Sequence, residues 1–367
     1  MRIAFTGNPM TGHLLPMMPL LDAARAAGHE AVVVTAEEME PRLAPATVWP
    51  AGPGVAANVE ETLRRTGSHP AHPGPGTIEY FAGVRVDLAV EETVDQVTKL
   101  DPDLLVVEEL DYLGPLVATM LEIPWVEHRV GAPLPADFTA MLRDRSAKNF
   151  EARSLRPSAR IALVDAYPDF LLGPDEHHAA DRISLRPTLN QHGEGTAVSI
   201  PERSSRPRAL VTLGTTVEDQ DALASMVSAV DAAGFDVLAT VDTADLPAAS
   251  SAGGVHALGF VTLAKLLPEV DLVVSAGGTG TVLASLTAGL PLVLRPFLAD
   301  HPWNAARVAA QGAAIVIDDP ADAGEAARRI MNSDSHRTAA ASAAKAISTM
   351  NSPEHVIEQL TGLVHER

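Results

Sequence analysis

The chain has 367 residues, 46% of them apolar, and a formal net charge of −20, a length that suits two domains, each with a sizeable core, rather than one. The acidity is dispersed and would repel phosphate backbones and anionic lipid, which excludes nucleic acid as a partner. No apolar run reaches the roughly 18 residues that span a bilayer, the opening residues show no leader pattern, and with no cysteine disulfides and thiolate metal sites fall away, as suits a cytoplasmic protein.

In chain order, Arg2 to Thr6 reads as a strand, Pro16 to Ala27 has helical spacing ended by Gly28, and Glu30 to Thr35 is the next strand. Val48 to Gly76, rich in Gly, Pro and Ala, reads as an irregular loop. The alternation returns with a strand at Asp103 to Glu108, a helix at Gly114 to Leu121 and a strand at Trp125 to His128. Strand–helix–strand order implies βαβ units around a buried parallel sheet. Between Arg186 and Pro207 the pattern breaks into a linker. A second series then follows, with strands expected at Ala209 to Leu213, Asp236 to Thr240, Asp271 to Val274, Pro291 to Leu294 and Ala314 to Ile317. The last helix is expected at Pro353 to His365, where Val356, Leu360, Leu363 and Val364 share one face.

Two turns carry chemistry. In the second half, the strand ending at Val274 runs into Ser275, Ala276, Gly277, Gly278, Thr279, Gly280 and Thr281, followed by a helical pattern. Glycines at a βα turn let backbone amides approach an anion, and the helix N-terminus adds unpaired N–H groups. A diphosphate fits there, although the turn matches neither the dinucleotide nor the P-loop fingerprint, and a tight turn with an ordinary cap would look the same. Asp300, His301 and Asn304 follow a later strand; Asp300 can accept from sugar hydroxyls or cap its own helix. In the first half, His13 lies where the first strand's loop becomes a helix. A neutral imidazole suits taking a proton from a hydroxyl and needs a carboxylate on its other nitrogen. Glu108 and Glu109 end a strand that should neighbour the first. Taken alone, His13 can equally be a helix-start residue and the glutamates a solvated loop. Asp175, Glu176, His177 and His178 lack a third ligand at metal spacing, so no metal is expected.

Taken together the fragments resemble the GT-B glycosyltransferases of antibiotic and natural-product biosynthesis, which decorate macrolides, enediynes and aromatic polyketides. The family's Gly-His-x-x-Pro is Gly12 to Pro16 here, and its Leu-Gly-Thr is Leu213, Gly214 and Thr215. Its Trp-Val-Pro-Gln becomes Phe260 to Leu263, its Leu-Leu-Pro-x-x-Asp is Leu266 to Asp271, its glycine turn is Ala276 to Thr281, and its Asp-Gln-x-x-Asn is Asp300 to Asn304. The departures sit on the donor side: Ala276 replaces the turn histidine, Phe260 the stacking tryptophan, Thr262 and Leu263 the Pro-Gln pair, and His301 the glutamine, with Ser275 or Arg295 as candidates to compensate.

The resemblance implies an α/β GT-B fold, two Rossmann-like domains facing across a cleft. Residues 1–190 would bind the acceptor, 191–207 link, 208–351 bind the nucleotide sugar, and 352–367 form a closing helix that crosses back to the first domain. It implies an inverting glycosyltransferase of hexosyltransferase type that moves a deoxysugar from a nucleotide diphosphate, TDP favoured over UDP, to a hydroxyl of a small hydrophobic polyketide-type aglycone. No cofactor or metal is implied beyond the nucleotide sugar itself, and a homodimer is compatible. His13 would be the general base and Glu108 its orienting acid, with Glu109 and Asp111 as alternatives. Phe260 would stack on the base and the Val261 backbone bond its edge. Thr215 and the turn Gly277, Gly278, Thr279, Gly280 and Thr281 would hold the donor, with Asp300, His301 and Asn304 beside it. Met10, Tyr80 and Phe81 would meet the acceptor. The alternative is a catalytically impaired homologue that binds a ligand or assists another transferase.

Overall fold

The computed structural model describes residues 1–366 apart from 174, 175, 178, 190, 193–198, 216, 241–253 and 260. Two parallel sheets organise these residues. The first contains β1 (Arg2–Thr6), β2 (Glu30–Thr35), β3 (Val48–Pro50), β4 (Leu104–Glu108), β5 (Trp125–Arg129), β6 (Leu163–Asp165) and β7 (Arg182–Ser184), in the order β3-β2-β1-β4-β5-β6-β7. The second contains β8 (Arg208–Thr212), β9 (Asp236–Ala239), β10 (Val255–Ala257), β11 (Leu272–Ser275), β12 (Leu292–Leu294) and β13 (Ala314–Val316), in the order β10-β9-β8-β11-β12-β13.

The strands read as unbroken apolar runs because helices cover both faces of each sheet. Along β1, Ile3 and Phe5 enter one core with Leu104 and Val106 of β4, while Ala4 joins Leu105 and Val107 on the opposite face. The second sheet divides the same way, with Val211 and Val274 on one side and Leu210 and Val273 on the other. In each sheet the strand order reverses once, between β1 and β4 and between β8 and β11. Such a switch point leaves a crevice beyond the strand C-termini, because the flanking loops turn to opposite faces.

Several local features depart from the sequence expectations. The helix expected over Pro16 to Ala27 is divided into a turn at Thr11–Leu14, a 3-10 segment at Leu15–Met17 and an α-helix at Met18–Ala26, since Pro16 and Pro19 lack N–H donors. Val48 to Gly76 is not an irregular loop. It holds β3 and a helix at Val55–Thr66 that Gly67 closes at φ +68°, a left-handed position suited to glycine. That helix hides Asn58 and Thr62 on its inner face, where Asn58 Nδ2 donates to the carbonyls of Pro53 and Gly54.

The last helix, Pro353–His365, begins with Ser352 accepting from His355 N at 3.3 Å. Its Val356, Ile357 and Leu360 are fully buried in the core formed by β1 and the Met18–Ala26 helix. Just before it, Asn351 is tied to the β7 end, its carbonyl accepting from Arg186 N at 2.7 Å. The chain thus ends on the sheet where it began. None of the described helices is long and apolar enough to cross a membrane.

Candidate active site

Each switch point holds one cluster. In the first, the loop after β1 passes so close to β4 that a Cβ on Gly7 would lie 2.6 Å from Leu14 Cδ2 and 3.3 Å from Glu108 Cβ; only glycine fits without displacing a neighbour. The loop then presents His13, whose Nδ1 lies 3.0 Å from Glu108 Oε2 at the end of β4, an ion-pair contact whose angle falls short of a hydrogen bond. The carboxylate is wholly buried, whereas the imidazole is 19% exposed, so its remaining edge is open to a ligand. Glu108 is held from three sides. Asn8 Nδ2 donates to Oε2 at 2.7 Å and Leu110 N to Oε1 at 2.8 Å, in addition to the imidazole.

The electrostatics distinguish the three neighbouring acids. Burial penalises the Glu108 charge, but the imidazolium and the donated hydrogen bonds outweigh it, so its pKa lies below the usual carboxylate value and it is ionised. Burial pushes Glu109 up to about 8, partly opposed by Arg129, and its Oε1 accepts from Val130 N and Gly131 N. Burial likewise raises Asp111 to about 6, partly opposed by Arg85, whose Nε is 3.7 Å away. Of the three, Glu108 is the one that meets His13. Burial also works against a charged His13, yet Glu108, with smaller help from Asp300 and Asp111, raises its pKa above the ordinary histidine value.

Phe81 packs beside the imidazole with ring centroids 5.6 Å apart, and half-buried Met10 joins the same apolar cluster. Tyr80 corrects the expectation of a lining residue: it sits edge-on beneath Phe81 and is buried in the core. Burial there pushes its phenol up to about 12.

The second cluster lies beyond β8 and β11. Thr215 is exposed after Gly214, which stands at φ +76°. Gly277 adopts φ +92°, and a side chain there would press on the His301 carbonyl at 3.3 Å. Gly278 caps the helix Thr279–Thr287, so the amides of Gly280 and Thr281 fall in the first turn, where no intrahelical carbonyl can accept them. The reading of Asp300 as the cap of its own helix gives way to another. It precedes the helix His301–Ala310 without a side-chain cap bond, and its Oδ2 instead accepts from Thr279 N at 3.2 Å, Thr279 Oγ1 at 2.6 Å and Asn304 Nδ2 at 2.7 Å. Asn304, fully buried, also donates to Gly277 O at 3.0 Å and Thr279 Oγ1 at 2.9 Å. The imidazole of His301 lies over Gly278, its Nε2 3.5 Å from where a Cβ would stand, and its buried Nδ1 has no partner among the described residues. Burial lowers its pKa, with Asp300 pulling the other way.

The Val261 side chain is packed in the second core, and Phe260 lies outside the described residues. Asp175 and His178 also lie outside them, and no cluster able to hold a metal occurs among the described residues. Ser275 Oγ accepts from Gly277 N at 3.3 Å, which leaves its O–H to donate, and Arg295 stacks on Phe297 at 3.9 Å. Asn8 was overlooked; its place in the His13 loop was its one visible signal, because its partner lies 100 residues away.

The two clusters face one another. The charge of Asp300 reaches His13, and a methyl on Gly131 would sit 3.5 Å from Thr279 Oγ1 and 3.9 Å from Glu109 Oε1. A histidine paired with a buried glutamate opposite a helix N-terminus, on two Rossmann-like halves, is the arrangement expected of a GT-B glycosyltransferase. The comparisons with known proteins agree. Residues 221–363 match the family described as erythromycin biosynthesis protein CIII-like, C-terminal domain. The L-demethylnoviosyl transferase of Streptomyces niveus is 29% identical, covering 92% of this chain and 91% of its own. The elloramycin glycosyltransferase of Streptomyces olivaceus is 29% identical over 86% and 85% of the two chains. Among solved structures, the glycosyltransferase SsfS6 of Streptomyces sp. SF2575, complexed with thymidine diphosphate, superposes with a TM-score of 0.84 at 25% identity, covering 99% of each chain. The chain resembles the GT-B glycosyltransferases of antibiotic and natural-product biosynthesis along its whole length, and it is a glycosyltransferase. The alternative of an impaired auxiliary homologue is not favoured by these relatives, which are themselves named as transferases.

Proposed function

We propose that the enzyme transfers a deoxysugar from its TDP derivative to a hydroxyl of a hydrophobic, polyketide-type acceptor in the cytoplasm, with inversion at the anomeric carbon and no resident cofactor. The observation that carries this reading is the 3.0 Å pairing of His13 with ionised Glu108 opposite the Thr279–Thr287 helix N-terminus. The acceptor oxygen gives its proton to the free Nε2 of His13 and forms the new bond to the anomeric carbon. The bond from that carbon to the diphosphate oxygen breaks in line, and TDP leaves with the electron pair. Glu108 stabilises the imidazolium as it forms. The Gly280 and Thr281 amides, with the helix dipole, receive the leaving charge. Phe81 and Met10 offer the acceptor an apolar wall beside the base, and His301 is placed to donate to the donor from above Gly278.

Support for the thymidine nucleotide comes from the thymidine diphosphate bound to SsfS6, and for the acceptor class from the antibiotic for which the elloramycin glycosyltransferase is named. The test is calorimetric binding of TDP and UDP, followed by incubation of enzyme, TDP and a glycosylated polyketide to look for TDP-sugar formed in reverse. Binding of TDP with sugar returned to it is expected. No heat of binding with either nucleotide at millimolar concentration would end the reading.

A further inference from the structure

The donor turn is held together by Asn304, and Asn304 is in turn met from the other lobe. Tyr167, two residues beyond β6 of the first sheet, is 1% exposed and packs among Val282, Leu286, Leu294 and Val308 of the second lobe. Its hydroxyl lies 3.4 Å from Asn304 Oδ1 and accepts from Arg307 Nη1 at 3.3 Å. Arg307 also pairs with Glu176. The backbone of Tyr167 is pinned to its own lobe, its N–H donating to Asp165 Oδ1 at 2.9 Å, and Asp165 Oδ2 accepts from Arg129 and Arg182 at 3.0 and 2.9 Å.

These contacts have a direction. Arg307 can only donate, so the tyrosine oxygen accepts from it and its own hydrogen is left for Asn304 Oδ1. With that oxygen engaged, the Asn304 amide keeps its two hydrogens turned toward Gly277 O, Thr279 Oγ1 and Asp300 Oδ2. The chain Arg307, Tyr167, Asn304, turn is therefore a single line of donors, each bond polarising the next. A phenylalanine would fill the same apolar space, so packing alone gives no reason for the hydroxyl. Both of its partners lie on the helix His301–Ala310 that organises the donor turn.

We propose that Tyr167 is a positioning residue for donor binding: the acceptor lobe, through its hydroxyl, sets the Asn304 amide and hence the shape of the Gly277–Thr281 turn. This rests on the reading of that turn as the donor site. It makes donor affinity depend on the lobes being docked as they are here, although Tyr167 itself touches no substrate.

The test is calorimetric titration of the full chain with TDP, together with KM for donor and acceptor separately, for the wild type, Tyr167→Phe, Arg307→Met and the double variant. Removing one neutral hydrogen bond should weaken TDP binding about threefold to tenfold. Donor KM should rise in parallel and acceptor KM stay unchanged, because the acceptor side is untouched. Arg307→Met should weaken TDP in the same sense, and the double variant should lose less than the product of the two single losses, since both remove parts of one chain. Should Tyr167→Phe fail to fold, Arg307→Met, which leaves the ring packed, reads the same quantity. An unchanged TDP affinity in both variants, or equal rises in donor and acceptor KM, would overturn the proposal while leaving the donor site intact. Absence of TDP binding to the wild type would remove the donor reading itself.

Discussion

Replacing Glu108 by glutamine probes the pairing at the centre of the mechanism. The carboxylate oxygen sits 3.0 Å from His13 Nδ1, so proton transfer to the imidazole creates an ion pair where there was a neutral ring beside an anion. At an effective dielectric near 20, unit charges about 4 Å apart attract by about 4 kcal/mol. With its oxygen kept by Leu110 N, glutamine turns its NH2 group toward His13 and recovers none of that, so the loss is about 4 kcal/mol in the transition state, roughly three decades in kcat/KM. The fold should tolerate the change. A single amide oxygen can still accept from Leu110 N, and Asn8, whose Oδ1 has no partner among the described residues, can flip to accept from the new NH2 group; the stability cost is about 1 kcal/mol. The sign of the pH effect is separately diagnostic. His13 must be neutral to act as a base, and Glu108 raises its pKa, so the acid limb of kcat/KM in the wild type lies above the ordinary histidine value. Without Glu108, burial prevails and the imidazole pKa falls. The acid limb should therefore move to lower pH even as the plateau drops. Initial rates of product formation from pH 5 to 9, with TDP affinity measured alongside, provide the assay. A plateau within threefold of the wild type and an unmoved limb would refute the reasoning.

Three other substitutions test separate parts of the account. Thr279→Val removes the hydroxyl that bonds Asp300 at 2.6 Å and accepts from Asn304 at 2.9 Å; donor KM should rise about tenfold with acceptor KM unchanged, as steady-state kinetics would show. Gly7→Ala places a methyl 2.6 Å from the Leu14 side chain and 3.3 Å from Glu108. The overpacking should cost about 1–3 kcal/mol, seen as a lower midpoint in thermal denaturation together with a reduced rate, and an unchanged midpoint would mean the loop has room. Leu360→Ala empties a fully buried position where the last helix meets the first core; a loss of about 2–5 kcal/mol is expected in denaturant unfolding, and a loss below about 1 kcal/mol would mean the helix is only loosely docked.

What could be read in advance follows from how local each signal is. The central strands are apolar throughout because both faces are covered, so β1, β2, β4 and β11 stood out within a residue or so of their ends. The strands β3, β6, β7 and β10 were not anticipated: each is three residues long and includes a proline or polar residue (Pro50, Asp165, Arg182, His256), whereas the equally short β12 and β13 are wholly apolar and stood out. The helix Val55–Thr66 was missed because the glycines and prolines on either side of it made the whole stretch read as a loop. In the site, His13 and the glycine turn were visible from their positions just after strands, and Glu108 from ending its own. The partners of these residues were not visible. Asn8 meets Glu108 across 100 positions and Tyr167 meets Asn304 across 137, separations closed by the sheet order for the first pair and by the packing of one lobe on the other for the second. Tyr80 and Phe81 are adjacent in the chain, yet one faces the core and the other packs on His13, a difference set by a π-helical turn at Tyr80–Val84 that breaks ordinary helical phase.

The most direct measurement is a crystal structure of the enzyme with TDP. The account predicts diphosphate oxygens within hydrogen-bond reach of the Gly280 and Thr281 amides, with the free edge of His13 opening onto the same cleft at a distance that one sugar ring can fill. Nucleotide bound elsewhere, with those amides facing solvent, or an imidazole turned away from the bound phosphate and off Glu108, would contradict it.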